Sequence, residues 1–441
     1  MISLSVWNEP VLVKNVKVLR SGNSANDVIR ADILVENGII EKLGDVKSGK
    51  TGMVIDGKNF AAVPGFVNAH THAAMTLFRG YAEDMPLMKW LEEKIWPLEK
   101  KLKPEHVYTG TKLACVEMLK SGCTAFIDMY FYVDAIASAV RDTGIRACIS
   151  SAFFDFFNPD ILEESLKRVR SDLEKLASNS CKRHSDGSDR IIPAVGPHAP
   201  YTVSLDGLKM SMEIAMEFNA KVHFHLAETE GEVKEFEKKN GRSVIRALDE
   251  IGFLNDRLIA AHCIWLSDGE IELLAKRGVN VAHCPVSNMK LCSGVFRYPE
   301  MLKAGVNVCL GTDGAASNNS LNMLEEMKFA VLLQKVHRSM PEFRAENVFN
   351  SATVNGYRAL GLKGGKLEEG YLADFALYDL NTPSFCPSHS LLADIVYSSS
   401  NSVVYTFVGG EPLVVDGHYR SYEEELEIIE KARKVAYDLV S

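Results

Sequence analysis

Hydrophobic and polar positions follow two different rhythms along this chain. Toward both ends, short β-branched or alternating apolar runs are separated by tight-turn dipeptides. Val11-Leu12-Val13 and Val16-Lys17-Val18-Leu19 read as short strands. Ile33-Leu34-Val35 and Ile39-Ile40 flank Glu36-Asn37-Gly38, whose Asn-Gly pair suits a hairpin turn. Asp56-Gly57 repeats the turn signal. Near the C-terminus, a strand over residues 403–408 is followed by Gly409-Gly410, then Leu413-Val414-Val415, then Asp416-Gly417. Residues 423–439 carry the spacing of an amphipathic helix. Two β-rich ends around a different middle predict one composite β-sandwich domain, built from residues 1–60 and 364–441.

The middle, residues 61–363, alternates apolar strand runs with helical stretches such as 162–176 and 208–218. One strand ends at His70. Seven more are predicted over residues 124–128, 146–150, 191–195, 221–225, 258–262, 279–283 and 306–310. Eight strand-and-helix units over this length fit an α/β fold, a TIM-type (β/α)8 barrel. The polar stretch 181–190 reads as a solvated loop.

Composition narrows the partners. The chain has 441 residues, is 46% hydrophobic and carries a net charge of −9 with no basic block. A large core is therefore available, and a nucleic-acid partner is disfavoured. Nine cysteines without a Cys-x-x-Cys pair read as reduced thiols of a cytoplasmic protein. The start, Met1-Ile-Ser-Leu-Ser-Val, lacks the pattern of a signal peptide. No apolar run is long enough for a membrane span.

Chemistry-bearing residues fall at the C-terminal ends of the predicted barrel strands. His70-Thr71-His72 ends the first, and residues two apart on a strand face one side. His225 ends the fifth, His262 the sixth, and Asp313 follows the eighth. In a barrel these ends converge on the catalytic face. Several imidazoles and a carboxylate brought together there are a divalent-metal site. A second His-x-His, His223-Phe224-His225, contributes His225; His223 reads as packing or as a support behind the site. His283, at the end of the seventh strand, is expected near the mouth.

The chain resembles the amidohydrolase superfamily over nearly its whole length. More narrowly, it resembles the branch that deaminates 5'-methylthioadenosine and S-adenosylhomocysteine. Pro64-Gly-Phe-Val-Asn-Ala-His-Thr-His72, Phe78-Arg-Gly-Tyr-Ala-Glu-Asp84, Gly196-Pro-His198, His225-Leu-Ala-Glu228 and Leu310-Gly-Thr-Asp-Gly-Ala-Ala-Ser317 carry the likeness. The resemblance implies that His70, His72, His225 and Asp313 bind one metal. His262 would orient the attacking water, Asp313 would take its proton, and Glu228 would shuttle protons. The implied reaction is hydrolysis of the 6-amino group of a 5'-modified adenine nucleoside to the inosine analogue and ammonia. His198 stands at the end of the fourth strand, where members with two metals carry a lysine, so one metal is expected. Zinc suits three imidazoles and a carboxylate, while iron, manganese and cobalt can occupy such sites. Enzymes of this kind often assemble, so a homo-oligomer is compatible with the sequence.

Substrate contacts follow from the same likeness. Trp90 would cover the sugar, and Glu99 would accept hydrogen bonds from the ribose hydroxyls, as two carboxylate oxygens suit a vicinal diol. His198 and Ser317 match positions that touch the purine. The pattern departs where the branch carries arginines for an amino-acid tail. Ser151 takes one such place, and Phe153, Phe154, Phe156 and Phe157 make the stretch apolar, with no arginine until Arg168. An apolar 5'-tail is expected there, unless these rings merely fill core. Arg297 is a candidate replacement from another loop. Deamination or dechlorination of another heterocycle (guanine, a triazine, an oxidised purine) is the alternative enzyme. A non-catalytic assembly protein is the alternative of another class.

Overall fold

The computed structural model describes residues 9–20, 27–47, 52–179, 190–398 and 402–441. Most of the stretch 181–190, expected to be a solvated loop, and the first residues of the chain lie outside these.

Among the described residues the strands form two sheets. The terminal sheet takes β1 (Val11–Leu19), β2 (Val28–Glu36), β3 (Ile39–Gly44), β4 (Met53–Asp56) and β5 (Phe60–Pro64) from the N-terminal part. The barrel follows as β6 (Phe66–Thr71), β7 (Cys123–Tyr130), β8 (Arg146–Phe153), β9 (Ile191–Pro197), β10 (Lys221–Leu226), β11 (Leu258–His262), β12 (Asn280–His283) and β13 (Asn307–Leu310). The chain then returns to the terminal sheet with β14 (Phe375–Asp379), β15 (Val403–Val408), β16 (Glu411–Val415) and β17 (His418–Tyr419).

The terminal sheet has nine strands, and its halves join where β14 pairs antiparallel with β5. The two runs expected at 11–13 and 16–19 are one strand whose register shifts between Val13 and Val16. Val13, Ile33, Phe375 and Phe407 share its core, with the two phenylalanine rings stacked at 4.6 Å. Phe60–Pro64 belongs to this sheet and Phe66–Thr71 to the barrel. The chain therefore crosses at Gly65, a few residues beyond the expected boundary at 60. No described helix is long and apolar enough to cross a membrane.

All eight expected barrel strands are present, paired in parallel from β6 round to β13. Side chains and one backbone bond close the seam between first and last. Asn68 accepts the Thr312 amide at 2.9 Å and donates to the Thr312 hydroxyl at 2.7 Å. Asp313 N–H donates to the His70 carbonyl at 2.9 Å. Gly311 makes this approach feasible, since a Cβ there would lie 2.7 Å from the His70 nitrogen. The same closure carries Asp313 to His70, so the seam builds part of the site.

One buried ion pair locks barrel to terminal sheet. Arg146, at the start of β8, donates from Nε to Asp374 Oδ2 at 2.6 Å, and neither side chain is exposed. Asp374 also accepts from the Tyr357 hydroxyl at 2.9 Å and the Gly409 amide at 2.6 Å. With these lone pairs filled, a buried carboxylate is tolerable.

Candidate active site

His70, His72, His225, His262 and Asp313 meet at the C-terminal mouth of the barrel. Asp313 Oδ1 lies 3.3 Å from both His70 Nε2 and His72 Nε2. His72 Nε2 and His225 Nε2 face each other at 3.3 Å. The ligand atoms of His70, His72 and His225 lie within 4.8 Å of one another, as do those of His70, His262 and Asp313. His262 and Asp313 adopt left-handed backbone, at φ of 71° and 64°. For residues with a Cβ this costs about 1–3 kcal/mol each, strain typical of functional positions.

The opposite edge of each imidazole is held. His72 Nδ1–H donates to the Met129 carbonyl at 2.7 Å, and His225 Nδ1–H to the His198 carbonyl at 2.8 Å. His262 Nδ1 meets Asn288 Oδ1 at 2.9 Å, and His70 Nδ1 meets His223 Nε2 at 2.7 Å. For His72 and His225 the carbonyl partners leave the Nε2 lone pairs turned inward, the arrangement of metal-binding histidines. His70 Nε2 is buried with no hydrogen-bond partner. A convergent set of imidazole nitrogens with one carboxylate oxygen and one orphaned buried nitrogen fits a divalent metal ion.

Electrostatics agree with that fit. Burial pushes His70 down to about 4, although Asp313 opposes it. Burial, reinforced by the other imidazoles, holds His225 well below its ordinary value. Asp313 goes the other way. Burial would raise it, but His70, His72 and His262 outweigh that and hold it well below the usual carboxylate range. Ser287 and Ser317 donate to its Oδ2 at 2.6 and 3.0 Å, so Oδ1 faces the imidazoles.

Glu228 lies just past β10. Its neighbour Thr229 opens the helix Glu230–Asn240 with a capping box to Glu232, which fixes the turn. The Glu228 carboxyl is buried. Ser293 donates to its Oε1 at 3.1 Å, and its Oε2 is 3.8 Å from His262 Nε2. Burial raises its pKa, against the pull of His262. Burial would lower His262, but Glu228 and Asp313 prevail and raise it.

These groups open into a narrow inner cavity of about 70 Å³. Its walls include Trp90, Glu99, Phe154, His198, Tyr201 and Ser317. Trp90 and Glu99 come from one helical segment, Leu87–Trp90, Leu91–Ile95 and Trp96–Glu99, whose middle is π-helical. Burial raises Glu99 to about 7, with Tyr130 and His72 opposing. An outer cavity of about 790 Å³ shares Trp96, Glu99, Phe131 and Phe154 with the inner one. Its far wall carries Arg168, Asp172 and Lys175.

Some expected residues sit elsewhere. The ring of His283 is fully buried, stacked on Phe296 at 4.3 Å, and does not line the cavity. Its strand-end side chain turns into the wall instead of the mouth. Arg297 donates to the Leu266 carbonyl at 2.9 Å and pairs with Asp268, away from both cavities. Of the four phenylalanines, Phe153 is core and Phe154 and Phe156 line cavity. Phe157 is exposed under the Lys239 ammonium, 3.7 Å from the ring centre. Ser317 lines the cavity with its hydroxyl engaged on Asp313 and the Gly314 carbonyl. Ser287, Asn288 and Ser293 escaped notice in the sequence. All three follow β12 on the catalytic face, the one signal that pointed to them.

The model of the amidohydrolase family matches residues 61–413. The chain belongs to the amidohydrolase family. This amidohydrolase is 56% identical over 429 residues to 5-methylthioadenosine/S-adenosylhomocysteine deaminase 1 of Archaeoglobus fulgidus, spanning 97% of this chain and 98% of that one. It is 42% identical to 5'-deoxyadenosine deaminase of Methanocaldococcus jannaschii, over 96% and 98%. In structure it is similar to a zinc-bound adenosine deaminase from Xanthomonas campestris, with TM-score 0.90 and 32% identity over 97% and 98% of the two chains. The amidohydrolase is a hydrolytic enzyme by family.

Proposed function

We infer that this amidohydrolase removes the 6-amino group of adenine nucleosides modified at the 5' position, giving the inosine analogue and ammonia. The observation that carries this is one cavity holding three elements: the imidazole and Asp313 cluster, a buried Glu228, and a Trp90 and Glu99 wall. The relatives' names, methylthioadenosine/adenosylhomocysteine deaminase and deoxyadenosine deaminase, agree with it.

His70, His72, His225 and Asp313 would hold one metal ion, with zinc favoured by the ligand types and by the zinc-bound structural relative. Such an ion lowers the pKa of water toward about 7 and so supplies a nucleophile at neutral pH. Asp313, ionised, accepts the proton of the attacking water through Oδ1. Glu228, whose neutral form burial favours, donates its proton to the ring nitrogen beside the attacked carbon, which breaks aromaticity and gives a tetrahedral intermediate. His262 supports the developing charge. Collapse follows when the proton taken by Asp313 passes to the amino group, which leaves as ammonia, while the new C6 hydroxyl returns a proton to Glu228. Two acids with oppositely displaced pKa values divide the roles of base and acid.

His198 and Tyr201 line the base end, Trp90 packs on the sugar, and Glu99 accepts from the ribose hydroxyls. The 5'-substituent would enter the outer cavity. Phe131, Phe154 and Phe156 there suit an apolar methylthio group, and Arg168, Asp172 and Lys175 beyond them suit a charged tail. The barrel residues 61–363 would form the catalytic domain beside the composite terminal domain. Incubation with 5'-methylthioadenosine, before and after chelation and metal reloading, tests the function. Conversion to the inosine analogue that is lost on chelation and restored by zinc is expected. An unchanged nucleoside with the reloaded enzyme would overturn it.

A further inference from the structure

The sequence contains two His-x-His pairs, and only His225 of the second reaches the cavity. His223 stands two residues earlier on the same face of β10, one layer deeper in the barrel. Its ring meets His70 edge-on, with centroids 4.8 Å apart at 86°. His223 Nε2 is 2.7 Å from His70 Nδ1, and His223 Nδ1 is 3.3 Å from Ser150 Oγ on β8. All three side chains are at 0% exposure. Water therefore cannot replace either partner, and an unmatched nitrogen would go unsatisfied.

One proton lies between His70 Nδ1 and His223 Nε2. With His70 as donor, its Nε2 presents a lone pair to Asp313 and His72. His223 then keeps its own proton on Nδ1, toward the Ser150 oxygen. With His223 as donor, the His70 proton sits on Nε2, and that imidazole cannot bind a metal. His72 and His225 face no such choice. Their Nδ1 partners are backbone carbonyls, which only accept. Of these three, His70 alone depends on a side chain able to donate or accept.

We propose that His223, backed by Ser150, is a positioning residue that fixes His70 in the tautomer with a free Nε2, and thereby sets the metal affinity of the site. It acts through His70 and presupposes the metal role inferred for that residue.

The test compares two amides of the full-length protein. In His223→Gln the amide reaches the place of Nε2 and can accept from His70. In His223→Asn it reaches only the place of Nδ1 and leaves His70 without a partner. Cobalt(II) binding to chelated protein is measured by competition with a chelating dye, together with the visible absorption of the bound cobalt. Circular dichroism checks that both variants fold. His223→Gln is expected within about threefold of the parent affinity with the same cobalt spectrum. His223→Asn is expected to bind about 10–100-fold more weakly with altered bands, the usual effect of losing such a support. Equal behaviour of the two variants overturns the proposal and leaves His223 a packing residue. A parent protein that takes up no cobalt overturns the metal assignment itself, and the proposal with it.

Discussion

Replacing Glu228 by Gln isolates proton transfer from metal binding. The amide keeps the shape of the carboxyl and can still accept from Ser293 through Oε1, now 3.1 Å away. Its NH2 takes the place of Oε2, 3.8 Å from His262 Nε2, with space enough to avoid a clash. No atom of His70, His72, His225 or Asp313 is touched, so metal content should stay at the parent level. What disappears is the buried acid beside His262 whose pKa burial raises. General acid–base transfer contributes about 10²–10⁴-fold, or roughly 3–5 kcal/mol of barrier. The loss should fall on kcat, with KM moving only a few-fold, because the proton moves in the transition state. Steady-state ammonia release, with metal measured on the same sample by atomic emission, makes the comparison. A variant with full metal and full turnover would refute the assignment of Glu228 as proton shuttle.

Three further outcomes are expected. Arg168→Gln should lower kcat/KM for S-adenosylhomocysteine about five- to tenfold while leaving methylthioadenosine unchanged, since a half-exposed charge pair contributes modestly; equal effects on both substrates in a competition assay would remove Arg168 from tail recognition. Asp374→Asn should cost about 3–5 kcal/mol by breaking the buried ion pair with Arg146, seen as a lower urea midpoint, and an unchanged midpoint would deny the ion pair a structural role. Burial raises Glu326 to about 8 from an ordinary 4.5, so its stabilising contribution is complete below about 4.5 and is lost as pH climbs through 8. Glu326→Gln should therefore flatten that decline, and parallel curves from urea unfolding across this range would contradict it.

The barrel was legible because each strand is short, apolar on both faces and followed by a helical stretch. Metal-ligand types at strand ends were expected to meet, since a barrel brings those ends together whatever the loops do, and His70, His72, His225, His262 and Asp313 do converge. What escaped the sequence depends on side-chain direction in loops. Ser287 and Asn288 are common polar types with no periodic signature, and only the short helix Pro285–Lys290 turns one to Asp313 and the other to His262. His283 shows the converse. Strand-end placement alone suggested the mouth, but its ring found Phe296 and turned into the wall. Arg297 was free in sequence to reach a substrate, and in the fold Asp268 and Glu300 hold it at the surface. The departure at Ser151 predicted an apolar tail pocket. The fold partly restores charge there, because Arg168, Asp172 and Lys175 line one side of the helix Pro159–Asn179 along the outer cavity.

The most direct measurement is ammonia release by the zinc-loaded protein from 5'-methylthioadenosine, S-adenosylhomocysteine, 5'-deoxyadenosine and guanine in parallel. Rapid release from the 5'-modified adenosines and none from guanine is the predicted result. Release from guanine with silence on every nucleoside would contradict the roles given to Trp90 and Glu99 and make the enzyme a deaminase of free heterocycles.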